Sequence, residues 1–122
     1  MAIPASILKA LDEPCVITRE QVDFYQKNRF IKVKQVFNEE TLDYFNTIIS
    51  DKVSELNRIE TKLEDRSTYG KAFLQLFNLW REDERIKQLI FSKRLAKIAT
   101  DLMQVSGVRL YHDQALYKEG GG

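Results

Sequence analysis

The chain has 122 residues, of which 43% are hydrophobic and 11% aromatic, enough to bury the core of one domain without disulfide or metal cross-links. Its 19 Lys and Arg residues balance 18 Asp and Glu residues, and the net charge of +1 argues against general electrostatic binding to nucleic acid or acidic lipid. Five glycines and two prolines are too few for a disordered or collagen-like chain. We therefore expect a single domain over residues 1–122.

Cys15 is the only cysteine and His112 the only histidine, which limits the chemistry that the chain can carry alone. These counts exclude an intrachain disulfide, a thiolate-rich zinc site and any metal site built from two histidines of this chain. The opening sequence MAIPASILKALDEP meets charged residues too early for a signal peptide, and no apolar run approaches the roughly 18 residues of a membrane span. The composition therefore predicts a soluble, cytoplasmic protein.

Beyond this opening leader, the first predicted helix begins after Thr18 and ends near Asn28. Gln21 lies three residues after Thr18 and completes the pattern of a capping box. The stretch Phe30–Val36 then alternates in side-chain character and predicts a short strand with one wetter face.

The most regular pattern in the sequence predicts a long amphipathic helix over Asn38–Ile59. Asn38 is suited to cap its N-terminus, and Glu39 and Glu40 follow in the first turn, where the helix dipole favours carboxylates. The apolar stripe predicted to face the core consists of Leu42, Phe45, Ile48, Ile49, Val53 and Leu56. A polar loop is predicted over Glu60–Thr68.

The segment Tyr69–Trp80 fits either a helix or a strand, because its apolar residues satisfy both spacings. Two further helices are predicted, one over Asp83–Phe91 and one that begins after a Ser92 cap and ends near Gly107. Their inward residues are predicted to be Ile86, Leu89, Ile90, Leu95, Ile98, Ala99, Leu102 and Met103.

The last segment, Val108–Lys118, is predicted to be a strand, but it carries polar residues on both faces. Such a strand lines a pocket or forms a sheet edge. His112, Gln114 and Lys118 share one face and would present donors to a carboxylate, although a solvated edge is the simpler interpretation. Adjacent strand residues point to opposite faces, so His112 and Asp113 are not expected to bind one metal together, and a hydrogen-bonding histidine is favoured over a ligand.

Other patterns have simple structural interpretations. The aromatic residues between Phe73 and Trp80 are typical of a core, the charges of Arg81–Arg85 are typical of a solvated helix start, and Cys15 is expected to be an idle thiol. The terminal run Gly120–Gly122 is either an appended linker or a loop interrupted in its middle. From the residues alone, the prediction is an α+β unit with one unusual strand.

Two stretches resemble the phytanoyl-CoA dioxygenase family: FLQLFNLWREDERIKQLIFSKRLAKIATDLM (Phe73–Met103) and VRLYHDQALYKEGGG (Val108–Gly122). From about Val16 the order of helix, short strand FIKVKQVF and long helix opened by NEETL resembles the family too. Members are non-haem Fe(II)- and 2-oxoglutarate-dependent oxygenases built on a double-stranded β-helix. The resemblance implies an α+β fold with a mainly helical N-terminal scaffold and the first strands of a jelly-roll core that is incomplete in this chain.

The resemblance also implies where the active-site residues belong. In the family the strand that matches HDQALYK leads into a glycine-rich loop, the metal-binding His-x-Asp follows it, and a distal His and a co-substrate-binding Arg come later. This chain is expected to stop inside that loop, and it lacks the proline that the family often has between Glu119 and Gly120. We therefore expect no catalytic or metal-binding residue here, and Fe(II) and 2-oxoglutarate are not expected to bind this chain alone. His112 and Asp113 do not match the family's ligands.

The resemblance carries two residues over to the co-substrate pocket. Gln114 matches a position that lines the 2-oxoglutarate pocket, and Lys118 matches one at its mouth. The stretch Phe73–Phe77 matches a strand that flanks the pocket, which favours a strand for the first half of the ambiguous segment.

The expected function is therefore that of a dioxygenase acting on a small-molecule substrate, inactive in this chain alone. The alternative is a non-catalytic helical module for protein interaction, supported by the helix Asn38–Ile59. A chain with an exposed core would also self-associate through the strand Val108–Lys118. A third hypothesis is that a separate chain supplies the jelly roll.

Overall fold

The computed structural model describes residues 2–56 and 74–117. Within this part of the chain, helices precede and separate two short strands, which confirms an α+β fold in its general form. None of the described helices is long and apolar enough to cross a bilayer. The elements are α1 (Ala5–Asp12), α2 (Arg19–Asn28), α3 (Glu39–Leu56), β1 (Leu74–Phe77), a 3-10 helix (Leu79–Arg81), α4 (Glu84–Ile90), α5 (Lys93–Met103) and β2 (Gln114–Tyr117).

Helix α1 lies in the leader, where the sequence analysis assigned no element. Its residues Ile7 and Leu11 are each 2% exposed, and Ile3 ahead of the helix joins them in the core. Their spacing of four residues is the helical signal that identifies this buried face. The other buried residues of this cluster, among those described, come from α3, the 3-10 helix and α4: Phe45, Ile48, Val53, Leu79 and Ile86. The leader is therefore part of the domain core.

The caps predicted for α2 and α3 are present. Thr18 and Gln21 form a reciprocal capping box at α2, and the Asn38 side chain accepts a hydrogen bond from the Thr41 backbone N–H at 2.9 Å. The prediction that Leu42 faces the core is wrong, because Leu42 is 55% exposed and the preceding Thr41 is buried instead. The predicted last turn, residues 57–59, lies outside the described residues, as does the loop Glu60–Thr68.

The prediction of a strand over Phe30–Val36 is wrong. No described residue pairs with this segment in a ladder, and Gln35 has a φ of 57°, in the left-handed region that ends an extended strand. The Val36 carbonyl instead accepts a hydrogen bond from the Arg94 guanidinium. Because no described strand lies beside it, this alternating segment forms an irregular connection between α2 and α3.

Ser92 and Arg94 tie α5 to the N-terminal half of the molecule. The Ser92 hydroxyl donates to the Leu11 carbonyl at the end of α1 and accepts from the Leu95 N–H, so this 2% exposed side chain serves two helix ends. Arg94 Nη1 donates to the carbonyls of Glu13 and Pro14, each at 2.9 Å. These bonds fix the chain between α1 and α2 against α5.

Helix α4 begins inside the predicted segment with Asp83 as its N-cap, and helix α5 begins after the predicted Ser92 cap. Ile86, Ile98 and Leu102 are buried as predicted, whereas the prediction for Met103 is wrong because it is 38% exposed. Helix α5 ends before the predicted Gly107, because Gln104 adopts a left-handed conformation with a φ of 56°.

The predictions for the segments Tyr69–Trp80 and Val108–Lys118 were correct only in part. Within the described part of Tyr69–Trp80 the strand is β1, and the chain then forms the 3-10 helix; Tyr69–Phe73 lies outside the described residues. The predicted strand Val108–Lys118 is wrong for residues 108–113, since β2 begins at Gln114. Phe77, the last residue of β1, pairs with Gln114, and residues 108–113 have no strand partner among the described residues.

Replacing Asp83 by Asn tests the ion pair at the start of α4. Arg85 donates to the Asp83 carboxylate through its backbone N–H, Nε and Nη2, and the side-chain hydrogen bond to Arg85 lowers the pKa of Asp83 from 3.8 to about 2. The stabilisation is therefore present above pH 3.8 and is lost as the pH falls through 2. We expect D83N to lower the free energy of unfolding by about 1 kcal/mol at neutral pH, after allowance for solvent screening.

The measurement is urea unfolding of wild type and D83N between neutral pH and pH 2, in which the two curves should converge at the acid end. Asp43→Asn removes an exposed carboxylate of α3 and serves as the control, with no comparable pH-dependent difference. A constant difference between D83N and wild type across the range would contradict the account.

Candidate functional site

The candidate site is built on the antiparallel pair β1 and β2. Leu76 lies opposite Ala115, and Phe77 lies opposite Gln114. Side chains alternate across a strand, so one face of the ribbon carries Leu76 and Ala115 and the other carries Phe77, Gln114 and Leu116. The first face packs against the hydrophobic core.

The second face, which we call the outer sheet face (Phe77, Gln114 and Leu116), points away from that core. Phe77 is 51% exposed and Leu116 46% exposed, and Gln114 is exposed between them. Gln114 has an amide that can both donate and accept hydrogen bonds. The outer sheet face therefore presents two half-exposed apolar side chains beside the polar amide of Gln114.

Asp113, directly before β2, joins the two strands to the helical part of the domain. Its carboxylate oxygens Oδ1 and Oδ2 accept hydrogen bonds from the backbone N–H groups of Leu79 and Trp80, each at 3.0 Å. Its backbone carbonyl accepts from the Asn78 N–H at 2.9 Å. Three successive N–H groups at the start of the 3-10 helix are thus satisfied by one residue that lies 33 to 35 positions later in the chain.

The turn that makes this possible is at Asn78. Its φ of 58° and ψ of 45° place it in the left-handed region, where asparagine is tolerated better than most residues with a side chain. The turn redirects the backbone N–H groups of Leu79 and Trp80 towards Asp113 and buries the Leu79 side chain, which is 3% exposed. The Asn78-Leu79-Trp80 block is therefore a structural junction.

His112 lies beside the same strand end but takes no part in this network. Its ring meets the Phe77 ring edge-on, with centroids 5.4 Å apart, and the Tyr111 ring lies 4.7 Å away at a tilt of 55°. These are aromatic contacts at an exposed position, and they differ from the hydrogen-bonding strand histidine that the sequence favoured.

The two residues assigned to the co-substrate pocket have different outcomes. Gln114 occupies the first position of β2 on the outer sheet face, where its amide is accessible to a ligand. Lys118 lies outside the described residues. The structure therefore describes the position of only one of these two residues.

The described residues do not supply a site for Fe(II). Across residues 2–56 and 74–117 there is no group of three His, Cys, Asp or Glu side chains close enough to hold a metal ion. Asp113 is the carboxylate nearest in sequence to His112, and both of its oxygens are engaged by backbone N–H groups.

Sequence reasoning missed the role of Asp113, which it weighed only as a metal ligand. An aspartate that caps a helix is recognisable when the cap is local, as at Asp83. Here the residue and its partners are far apart in the chain, and no pattern within either block predicts their contact. This contact can be identified only from the structure, in which the Asp113 side chain lies against the left-handed turn at Asn78.

The chain was compared with protein-family models, curated proteins and solved structures, and none of the three comparisons found a match.

Replacing Asp113 by Ala removes both acceptors of the Leu79 and Trp80 N–H groups. We expect the free energy of unfolding to fall by roughly 1–3 kcal/mol, because partly buried donors are left without partners. Asp113→Asn keeps one acceptor oxygen and should lie between Asp113→Ala and wild type. Urea unfolding followed by circular dichroism measures the difference.

The exposed variant Glu82→Gln, two residues after Trp80, is the control and should change stability by less than about 0.5 kcal/mol. Equal stability of Asp113→Ala and wild type would show that the Asp113 carboxylate does not hold the junction.

Proposed function

We propose that this chain is the N-terminal portion of a non-haem Fe(II)- and 2-oxoglutarate-dependent dioxygenase of the phytanoyl-CoA dioxygenase type. In this proposal the helices form the scaffold, and β1 and β2 are the first strands of a double-stranded β-helix. Gln114, together with Lys118, lines the 2-oxoglutarate pocket. The complete enzyme hydroxylates a small-molecule substrate.

The proposal is supported by one observation: parts of the two stretches that resemble the family meet in space. Residues 78–80 and 112–117 are separated by α4 and α5 in the chain, yet Asp113 bonds one block to the other and β1 pairs with β2. The segment that resembles a strand flanking the co-substrate pocket contains β1, directly beside the strand that carries Gln114. Such an arrangement is what a shared pocket would require.

The outer sheet face gives the proposal a physical basis. A two-stranded ribbon is marginally stable alone, and a sheet buries both faces when a second layer packs on it. Phe77 and Leu116 are large apolar side chains left half exposed on this face. A second sheet packed there would cover them and would enclose the Gln114 amide, where it could donate to a carboxylate of 2-oxoglutarate.

The iron would have to be held by residues other than those described. The family's facial triad uses two histidines and one carboxylate, and this chain has one histidine, His112. What this chain would contribute is the position of the co-substrate. Its helices would fix β1 and β2, and these two strands would place Gln114.

The reading frame that encodes the chain tests this proposal directly. Sequencing of the transcript across the Gly122 codon should show a His-x-Asp motif shortly after it, followed later by a second His and an Arg. As a biochemical control, the 122-residue protein itself should produce no succinate from 2-oxoglutarate in the presence of Fe(II) and ascorbate. A frame without the His-x-Asp motif, or iron-dependent succinate from this chain, would refute the proposal.

A second candidate function, a self-associating interaction module, is favoured by the same exposed surface. Phe77 and Leu116 of the outer sheet face are 51% and 46% exposed, which leaves apolar surface for contact with a second copy. In this case the outer sheet face of one copy packs against that of a second copy.

Sedimentation velocity over a range of protein concentrations tests self-association. We expect a dimer that dissociates on dilution, and Leu116→Lys should shift it to monomer because a charge cannot be buried unpaired in an apolar interface. Leu42→Lys, at an exposed leucine of α3, is the matched control and should leave the dimer intact. A wild-type protein that is monomeric at every concentration contradicts the self-associating module.

A further inference from the structure

We propose that a cavity beside the 3-10 helix binds a small aromatic anion, namely an aromatic ring that carries a phosphate or a carboxylate. The cavity has a volume of about 490 Å³, within the range of small-molecule sites. It lies between the 3-10 helix, the end of α4 and the segment ahead of β2. Its lining residues are Asn78, Trp80, Arg81, Phe91, Val108, Arg109, Leu110 and Tyr111.

The positive charge of the cavity wall favours an anionic ligand. Arg81 and Arg109 both contribute to the wall, and the wall contains no carboxylate. Neither arginine forms an ion pair with any residue in 2–56 or 74–117. A guanidinium offers paired N–H donors that match a phosphate or carboxylate.

The aromatic residues of the wall select a ring. The Trp80 and Phe91 rings pack edge-to-face, with centroids 5.5 Å apart and planes at 84°. Phe91 is nevertheless 50% exposed and Tyr111 93% exposed, so large faces of both rings are open to a ligand. A planar ligand could stack on these faces and bury apolar surface that now contacts water.

The two recognition elements are held close together. The Arg81 guanidinium carbon lies 5.2 Å from the Trp80 ring centroid, in a cation–π contact that keeps the charge beside the aromatic wall. Lys87 Nζ lies 6.0 Å from the same centroid and adds positive charge. A ligand that joins an anionic group directly to a ring would therefore satisfy both elements at once, whereas either part alone would satisfy only one.

This site is independent of the proposed dioxygenase function. It uses no residue of the outer sheet face, and neither Gln114 nor Lys118 lines it. Failure of one proposal would leave the other untouched.

The fluorescence of Trp80 reports on this cavity, because Trp80 is the only tryptophan in the chain. We would titrate the protein with phenyl phosphate, and in parallel with phenylacetate, phenol and inorganic phosphate. Phenyl phosphate or phenylacetate should give a saturable change, and the tighter of the two identifies the anionic group. Phenol and inorganic phosphate should each bind at least about tenfold more weakly, because each lacks one of the two recognised parts.

Arg81→Gln and Arg109→Gln should each weaken binding of the anionic probe by about fivefold or more. Arg19→Gln removes an exposed arginine of α2, far from the cavity wall in the chain, and is the matched control with unchanged binding. Since Arg81 touches the reporter, isothermal titration calorimetry repeats the comparison without fluorescence. Circular dichroism checks that each variant is folded.

Three results would overturn the proposal. One is the absence of saturable binding by either aromatic anion. Another is equal affinity for phenol or inorganic phosphate. The third is binding that folded Arg81→Gln and Arg109→Gln retain at the level of Arg19→Gln.

Discussion

The Asp113 carboxylate determines how the C-terminal half of this domain is arranged. It accepts from the Leu79 and Trp80 N–H groups while the Asp113 carbonyl accepts from Asn78, so three backbone donors at a left-handed turn depend on one residue. This junction sets the register in which Phe77 faces Gln114. It also directs Leu79 into the core and Trp80 towards the cavity wall. The outer sheet face and the cavity are thus consequences of the same contact.

The two surfaces that the junction creates differ in chemistry. The outer sheet face combines the exposed side chains of Phe77 and Leu116 with the Gln114 amide, which suits coverage by a second layer of sheet and, in the proposed dioxygenase, contact with 2-oxoglutarate. The cavity beside the 3-10 helix combines two arginines with three aromatic residues, which suits a separate anionic ring. Both surfaces are positioned by β1 and the 3-10 helix, while the leader helix α1 and α3 supply much of the core that holds them.

Much of the helical part could be predicted because its signals are local. The Thr18–Gln21 capping box and the caps at Asn38, Asp83 and Ser92 each act within a few residues of the helix that they begin. Strands depend instead on distant partners. The alternation at Phe30–Val36 has no partner among the described residues, and β2 begins later than its pattern because β1 ends at Phe77, which pairs with Gln114. The role of Asp113 was missed for the same reason, since its partners lie more than thirty positions earlier.

Amide hydrogen exchange at Leu79 and Trp80 tests the junction most directly. If Asp113 accepts from both groups, their N–H protons should exchange much more slowly than those of an unstructured peptide, as the Ser92-capped N–H of Leu95 should. In folded Asp113→Ala the protection should disappear at Leu79 and Trp80 and persist at Leu95. Fast exchange at Leu79 and Trp80 in the wild-type protein, with Leu95 still protected, would contradict the account.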